Sequence, residues 1–263
     1  MMLDRDMVLA YAKERKMDPF WLENDYMQHI ALSCLYSEFS NELIFKGGTA
    51  LQKAYGLNRL SRDLDFNFPA ELDIGKLDRV AKRMSDYYKT SIGPPTRVKH
   101  GVGFRLQILG PSYKATGLPH VLPLTMNLDE KVELKPVFKT INPAITYGDP
   151  DLRAYSILVM DEREILAEKV RAVLTRKEAE PRDFYDIWFL LNSGIKFDRR
   201  LAERKTEYDK GRFSAALFRR RLSSVKTAWK KDLGQLINPL PDYRAVAAYL
   251  AKNMAAPWAK GAK

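Results

Sequence analysis

Two short segments in the first third of the chain combine residue types that can hold phosphate and a metal ion. In Lys46-Gly47-Gly48-Thr49, two glycines and a hydroxyl precede a helical pattern. Backbone N–H groups at a glycine-rich helix start bind phosphate well. In Asp63-Leu64-Asp65, the two carboxylates point to one face if the segment is a strand. Paired carboxylates suit Mg²⁺, so the two segments together indicate chemistry on a nucleotide.

A site for two metal ions needs a third carboxylate to offset their charge. Our choice is Asp129, because the sequence from 125 to 129 alternates between polar and apolar residues as a strand does. Glu130 and Glu133 are the alternatives, and a solvated strand acid is the plain explanation for any of the three.

Further along the chain, one lysine and two aspartates lie on helical patterns. Lys169 is four residues from both Ile165 and Val173, so it shares their apolar stripe. Such a lysine either extends its ammonium to solvent or reaches an anion such as a triphosphate. Asp183 and Asp186 share a helix face, and Asp183 can serve as a cap, whereas Asp186 lies too far inside the helix for that role.

The chain is basic, with 44 Lys and Arg against 33 Asp and Glu, a formal charge of +11 and a pI near 9.5. Residues 196–231 carry thirteen Lys or Arg against four acids, with aromatic residues interleaved. A solvated helical face is one explanation, but so large an excess favours a polyanion such as RNA. The arginines predicted to contact RNA are Arg199, Arg200, Arg219, Arg220 and Arg221.

The cysteine and histidine content counts against a disulfide-stabilised protein and against a zinc site. A single cysteine, Cys34, rules out a disulfide framework and indicates a reducing compartment. The three histidines are scattered without zinc-site spacing. We see no signal-peptide pattern and no apolar run long enough to span a membrane, and therefore expect a soluble cytoplasmic protein with no membrane partner.

The apolar periodicity predicts a mixed α/β chain in two parts. Helices are predicted over 4–16, 18–38, 49–55 and 74–88, and strands over 43–45, 63–68, 104–109 and 124–134. From Asp161 onward the pattern is almost wholly helical, with a further helix over 183–191. We place domains at 1–155 and 156–263.

These residues resemble the AbiEii family of nucleotidyltransferase toxins, which includes the MenT toxins. Three blocks carry the resemblance, and they span residues 22 to 191. The first, at 22–26, has Asn24 where the family has lysine. The second runs from Phe45 through Leu51 to Arg59, Ser61 and the Asp63-Leu64-Asp65-Phe66 segment. The third joins 165–172 with 182–187.

The resemblance implies a fold of the DNA polymerase β nucleotidyltransferase type, α/β (α+β) in class: a small mixed sheet followed by a helical C-terminal lobe. It implies transfer of a nucleotide from an NTP, with Mg²⁺, to an acceptor that in several members is the tRNA 3′ end, and a cognate antitoxin as partner. Lys46, Gly47, Gly48, Thr49 and Ser61 fall in the segments that would bind the nucleotide.

Carried over to this sequence, the family's site places metal on Asp63, Asp65 and Asp129. Lys169 would bind phosphate, and Asp186 would complete a catalytic set with Asp63, Asp65 and Lys169. Thr49 stands where the wider superfamily has serine, which preserves the hydroxyl.

Two other functions remain open from the sequence. One is kinase-like transfer of phosphate to protein, for which Ser61, two residues from Asp63, is itself a possible acceptor. The other is a non-catalytic RNA- or nucleotide-binding module on the same fold. The pair Asp63 and Asp65 counts against the second, because a protein that only binds has no need of both acids.

Overall fold

The computed structural model describes residues 2–68, 73–143, 147 and 152–258, with the backbone alone for 255–258. The chain divides into two compact units. Unit 1 comprises Met1–Gly56, Leu60–Val132 and Pro136–Met160, and unit 2 comprises Leu57–Arg59, Glu133–Lys135 and Asp161–Lys263.

The described residues of unit 1 form one mixed sheet together with helices. Its helices are α1 (Arg5–Glu14), α2 (Pro19–Phe39), α3 (Gly47–Tyr55), α4 (Ile74–Met84) and α5 (Tyr113–Thr116). Its strands are β1 (Ile44–Lys46), β2 (Leu64–Asn67), β3 (Thr90–Ile92), β4 (Thr96–Val98), β5 (Gly101–Ile108), β6 (His120–Asn127), β7 (Val137–Ile141) and β8 (Tyr155–Val159). The predicted fold class, a mixed sheet with helices, is confirmed.

Strand β2 lies in the interior of this sheet. The strand order is β3-β5-β6-β2-β1-β8-β7, with β4 paired to β5. β2 is antiparallel to β1 and parallel to β6, so Asp65 lies opposite Lys46 on one side and Thr125 on the other. The segment that carries the paired carboxylates is therefore fixed by hydrogen bonds along both of its edges.

One face of β2 belongs to the core of unit 1. Leu64 and Phe66 are fully buried, and the Phe66 ring stacks on Phe45 with centroids 5.0 Å apart. Because side chains alternate along a strand, Asp65 points to the opposite face. This confirms the alternation predicted for the segment.

Helix α2 is buried along most of its length, and several of its polar side chains pair with neighbouring groups. The carboxylate of Asp25 contacts the Lys53 ammonium and the Tyr147 hydroxyl, and His29 Nε2 lies 3.2 Å from Lys53 Nζ. Burial opposes the charge on Asp25, but the charges of Lys53 and His29 and the hydrogen bonds from Lys53 and Tyr147 together outweigh it, so the pKa of Asp25 falls to about 2. Burial lowers the pKa of His29 to about 3.

Unit 2 is helical among its described residues, in line with the pattern after Asp161. Its helices are α6 (Glu162–Thr175), α7 (Pro181–Asn192), α8 (Arg199–Glu207), α9 (Ala215–Ser224), α10 (Trp229–Leu233) and α11 (Tyr243–Trp258). A fully buried lysine, Lys205, joins α8 to α6 through Glu164 at 2.6 Å and Glu168 at 3.0 Å. Within the described ranges, no helix combines the length and apolar character needed to cross a membrane.

The structure differs from the predicted elements in several places. α3 starts at Gly47, because this glycine adopts φ +80° and turns the chain directly from β1 into the helix. β6 ends at Asn127, where Leu128 N turns to bond His100 O, so the strand prediction through residue 134 is wrong. Strands β3, β4, β7 and β8 were not predicted, and β7 and β8 extend the sheet beyond β1.

Candidate active site

The β1–α3 turn brings the Asp65 carboxylate against a glycine backbone. A Cβ atom at Gly47 would lie 2.9 Å from Asp65 Oδ2, which is closer than such atoms approach, and φ +80° disfavours a side chain as well. The glycine is therefore required for the carboxylate to reach the start of α3. There the first backbone N–H groups of the helix have no partner within the helix.

Asp65 itself is half-buried and its side chain makes no hydrogen bond or ion pair with any residue that the structure describes. The buried lysines Lys46 and Lys53 of unit 1 are each paired with a carboxylate, whereas the Asp65 carboxylate has no partner among the described residues. A carboxylate in this state can bind a cation.

Thr49 links the two sequence segments. It is buried, and its hydroxyl donates to the backbone carbonyl of Asp63. The hydroxyl hydrogen is therefore already used in this bond, and the contact of Thr49 with a triphosphate stays a prediction. The donors left at this turn are backbone N–H groups near Gly47 and Gly48, which can bind phosphate.

The loop before β2 is held by amide side chains from α2 and α3. Ser61 O accepts from Asn24 Nδ2 at 3.2 Å and from Gln28 Nε2 at 2.8 Å, while Ser61 N donates to Gln52 Oε1 at 3.1 Å. Asn24 Oδ1 also lies 3.1 Å from His120 Nε2. Asn24, the residue at which the sequence departs from the family pattern, is thus buried and holds the loop through its hydrogen bonds.

The Lys46 side chain is occupied within the protein. Its ammonium contacts Glu130 Oε2, and both side chains are buried. The predicted contact of Lys46 with the nucleotide is therefore not available without breaking a buried ion pair.

Glu130, not Asp129, reaches this part of the sheet. Asp129 is exposed, follows the end of β6 and has a side chain without a partner among the described residues, whereas Glu130 is buried against Lys46 and Asn127. Glu133, the other alternative, accepts from Tyr208 in unit 2. The strand placement that favoured Asp129 is wrong, because β6 ends two residues earlier.

The donor set fits Mg²⁺ at the Asp63–Asp65 segment. Mg²⁺ is commonly held by one or two carboxylates and completed by water and substrate phosphates, and both acids here are only half-buried. Within the described residues there is no group of three or more His, Cys, Asp or Glu side chains that could hold a metal ion without such additional ligands.

In unit 2, Asp186 forms a buried ion network. Arg59 binds Asp186 in a bidentate manner at 2.8 and 2.9 Å, and Lys169 Nζ lies 2.7 Å from Asp186 Oδ2 and 3.0 Å from Asp183 Oδ1. Arg176 Nη1 is 2.9 Å from Asp183 Oδ2. Burial opposes the charge of Asp186, but Arg59 and Lys169 outweigh it, so the pKa of Asp186 is lowered.

The Lys169 ammonium is therefore paired with two carboxylates and does not extend freely into solvent. An ammonium has three donors, and two of them point to Asp183 and Asp186, which leaves one for a phosphate oxygen. The partnership of Arg59 with Asp186 was not predicted. The sequence placed Arg59 close to the Asp63–Asp65 segment but gave no sign of a partner 127 residues away.

The five predicted RNA-binding arginines fall into two groups. Arg200, Arg219 and Arg220 are exposed and their side chains have no partner among the described residues. Arg199 is bound to Glu203 at 2.7 Å, and Arg221 donates to Arg176 O at 2.7 Å. The first three arginines are the ones available to a polyanion.

Comparison with models of known protein families identifies the family of this chain. The family model described as nucleotidyl transferase AbiEii toxin, type IV toxin–antitoxin system, matches residues 30–252. The chain belongs to the AbiEii nucleotidyltransferase toxin family. The family predicted from the sequence is thereby confirmed, and its members are toxins with nucleotidyltransferase activity.

Solved structures agree with this AbiEii assignment at the level of the fold. MenT4, a nucleotidyltransferase toxin from Mycobacterium tuberculosis H37Rv, superposes with a TM-score of 0.66 at 22% identity, over 99% of this chain and 91% of that one. A putative nucleotidyltransferase from Helicobacter pylori gives 0.59 at 19% identity, over 89% and 93%. JHP933 from the same species gives 0.52 at 17%, over 92% and 93%. No curated protein matches significantly.

Proposed function

We propose that this AbiEii toxin transfers a nucleotide from an NTP to the 3′ end of an RNA, with tRNA as the acceptor, and so blocks translation and growth. The observation that carries the proposal is the Asp65 carboxylate, which has no partner among the described residues and lies beside the N-terminus of α3. It joins a cation-binding group to backbone donors for phosphate, which is the combination that nucleotidyl transfer uses.

In the proposed reaction, the RNA 3′-hydroxyl attacks the α-phosphate in line and pyrophosphate leaves. Asp63 and Asp65 would hold Mg²⁺, which supplies charge neutralisation for the phosphates when bound. The N-terminal N–H groups of α3 bind phosphate oxygens. Within unit 2, Asp186 orients the Lys169 ammonium, and the phosphate-binding role of Lys169 stays a prediction from the family resemblance. The prediction of Asp129 as a further ligand stays open to test by substitution.

Charge and family membership support the proposed acceptor and partner. The exposed arginines Arg200, Arg219 and Arg220 suit the phosphate backbone of RNA, which binds Lys and Arg regardless of sequence. Membership of a toxin–antitoxin family supports a cognate antitoxin as the protein partner, and the site of action would be the cytoplasm.

The decisive experiment incubates the protein with each radiolabelled NTP, Mg²⁺ and total tRNA. Label on tRNA that is removed by 3′ exonuclease digestion is the expected result. No label on any RNA with all four NTPs would overturn the acceptor assignment.

Kinase-like transfer to protein is the second candidate, because Ser61 is half-buried and its hydroxyl makes no hydrogen bond with a described residue. Intact-mass measurement after incubation with an NTP separates the two: a phosphoryl adduct on Ser61 favours the second candidate, and an unmodified protein with labelled RNA favours the first.

A further inference from the structure

Lys46 and Asp65 lie directly opposite each other on neighbouring strands. They are Cα partners in the antiparallel β1–β2 ladder, so their side chains project from the same face of the sheet. Opposite residues in such a ladder have Cβ atoms roughly 4.5–5.5 Å apart, well within the reach of a lysine side chain. An ammonium and a carboxylate placed in this way form an ion pair unless another group holds one of them.

The group that holds Lys46 is Glu130. The Lys46 ammonium contacts Glu130 Oε2, and the exposed fractions of the two side chains are 8% and 2%. Asp65 in contrast is half-buried and has no partner for its side chain among the described residues. The Lys46 ammonium thus contacts Glu130, in the segment after β6, and makes no ion pair with Asp65 opposite it.

Glu130 is itself fixed by neighbouring strands. Asn127 Nδ2 donates to Glu130 Oε2 at 3.2 Å, and Asn67 Nδ2 donates to the Glu130 backbone carbonyl at 2.7 Å. His100 Nε2 lies 3.9 Å from Glu130 Oε1. These contacts come from β2, β6 and the residue before β5, so the carboxylate that attracts Lys46 has little freedom to move.

We propose that Glu130 is a positioning residue that holds the Lys46 ammonium away from Asp65 and thereby keeps the Asp65 carboxylate available to a divalent cation. The inference rests on the proposed function, in which Asp63 and Asp65 hold the metal. It assigns Glu130 a role that differs from a third metal ligand, because its carboxylate is already used by Lys46 and Asn127.

The test is calorimetric titration with Mn²⁺ in the absence of NTP and RNA, with circular dichroism as the check of folding. In Glu130→Gln, Lys46 loses its partner and pairs with Asp65, so the Kd for Mn²⁺ should rise about tenfold or more. Asp78→Asn is the matched control: it removes one negative charge from an exposed position on α4 and should leave the Kd unchanged.

A second pair of variants carries the test if Glu130→Gln fails to fold. With Lys46→Met as the reference, adding Glu130→Gln should change the Kd for Mn²⁺ by less than about threefold, because the ammonium that Glu130 restrains is gone. A large further loss of Mn²⁺ binding in the double variant would make Glu130 a metal ligand and overturn the proposal.

Asp65→Asn separates this inference from the proposed function. If Asp65→Asn binds Mn²⁺ as well as the native protein does, the proposed metal site itself is wrong. If Asp65→Asn loses binding while Glu130→Gln keeps it, the metal site stands and the positioning role of Glu130 is wrong.

Discussion

At the scale of single residues, the acids of this protein divide into those that bind neighbours and those that do not. Asp186 is enclosed by Arg59 and Lys169 and is fully buried, whereas Asp65 is half-buried without a side-chain partner among the described residues. Substitution should therefore affect stability at the first position and activity at the second.

Asp65→Asn should reduce nucleotide transfer at least about 100-fold while changing the free energy of unfolding by less than about 0.5 kcal/mol, because the side chain has no partner among the described residues. Labelled-NTP incorporation and urea unfolding measure the two quantities. The same substitution at Asp78 should alter neither, and residual transfer near the native rate in Asp65→Asn would contradict the role of Asp65.

Asp186→Asn should lower the free energy of unfolding by about 3–5 kcal/mol, because it leaves Arg59 and Lys169 buried beside a neutral amide. Urea unfolding again gives the measurement. A midpoint equal to that of the native protein would show that this ion network contributes little to the stability of unit 2. Loss of activity in this variant is informative about catalysis only at temperatures where it stays folded.

At the scale of elements, α2 is the helix whose buried polar groups make stability depend on pH. Burial lowers the pKa of His29 to about 3 and that of His120, which contacts α2 through Asn24, to about 4. Both values lie below the usual 6.5, so between pH 6.5 and these values the unfolded chain takes up protons that the folded protein does not.

The free energy of unfolding should therefore fall as the pH is lowered from about 7 to about 4, by at most about 1.4 kcal/mol per pH unit for each histidine. Asp25, with its pKa lowered to about 2, adds a further loss only below about pH 4. Urea unfolding at a series of pH values tests this, and His120→Gln should flatten the slope between about pH 6 and about pH 4. A stability independent of pH over that range would contradict it.

The sequence predicted the helices and strands around the site better than it predicted the side-chain pairs that link them. The alternation in Asp63–Phe68 was sufficient for β2 because one face is core, and the buried Leu64 and Phe66 agree with it. Asp129 was misplaced because the alternation continues past Asn127, while the strand ends where Leu128 N bonds a distant carbonyl, His100 O. The Lys46–Glu130 and Arg59–Asp186 pairs join residues 84 and 127 positions apart, and a local pattern has no means of indicating such distant pairs.

At the scale of the whole molecule, the chain carries a net charge of +11. Part of the positive charge lies on arginines of unit 2 whose side chains have no partner in the part of the chain that the structure describes. Arg219 and Arg220 are exposed on α9, while their neighbour Arg221 is used to bond Arg176 O. Exposed arginines of this kind are the ones that can exchange counterions for RNA phosphates.

The double variant Arg219→Glu/Arg220→Glu should weaken tRNA binding about tenfold or more and reduce the slope of log affinity against log salt by roughly 0.7–0.9 for each phosphate that the variant no longer neutralises. Filter binding at several salt concentrations measures both. Arg5→Glu/Lys13→Glu on α1 makes the same change in net charge at exposed positions and should have a much smaller effect. Equal effects of the two double variants would mean that overall charge, and not this surface, binds RNA.

The interior position of β2 also bears on how a cell can make this toxin. Asp63 and Asp65 leave the ribosome early, but β2 is parallel to β6, and Glu130 follows β6, so the surroundings of the acids require the chain to be made at least as far as Glu130. β1, the other neighbour of β2, gains its second partner only when β8 (Tyr155–Val159) has been made. An incomplete chain therefore has an unfinished sheet, and the Asp63–Asp65 segment gains its full surroundings only after both β6 and β8 have been made.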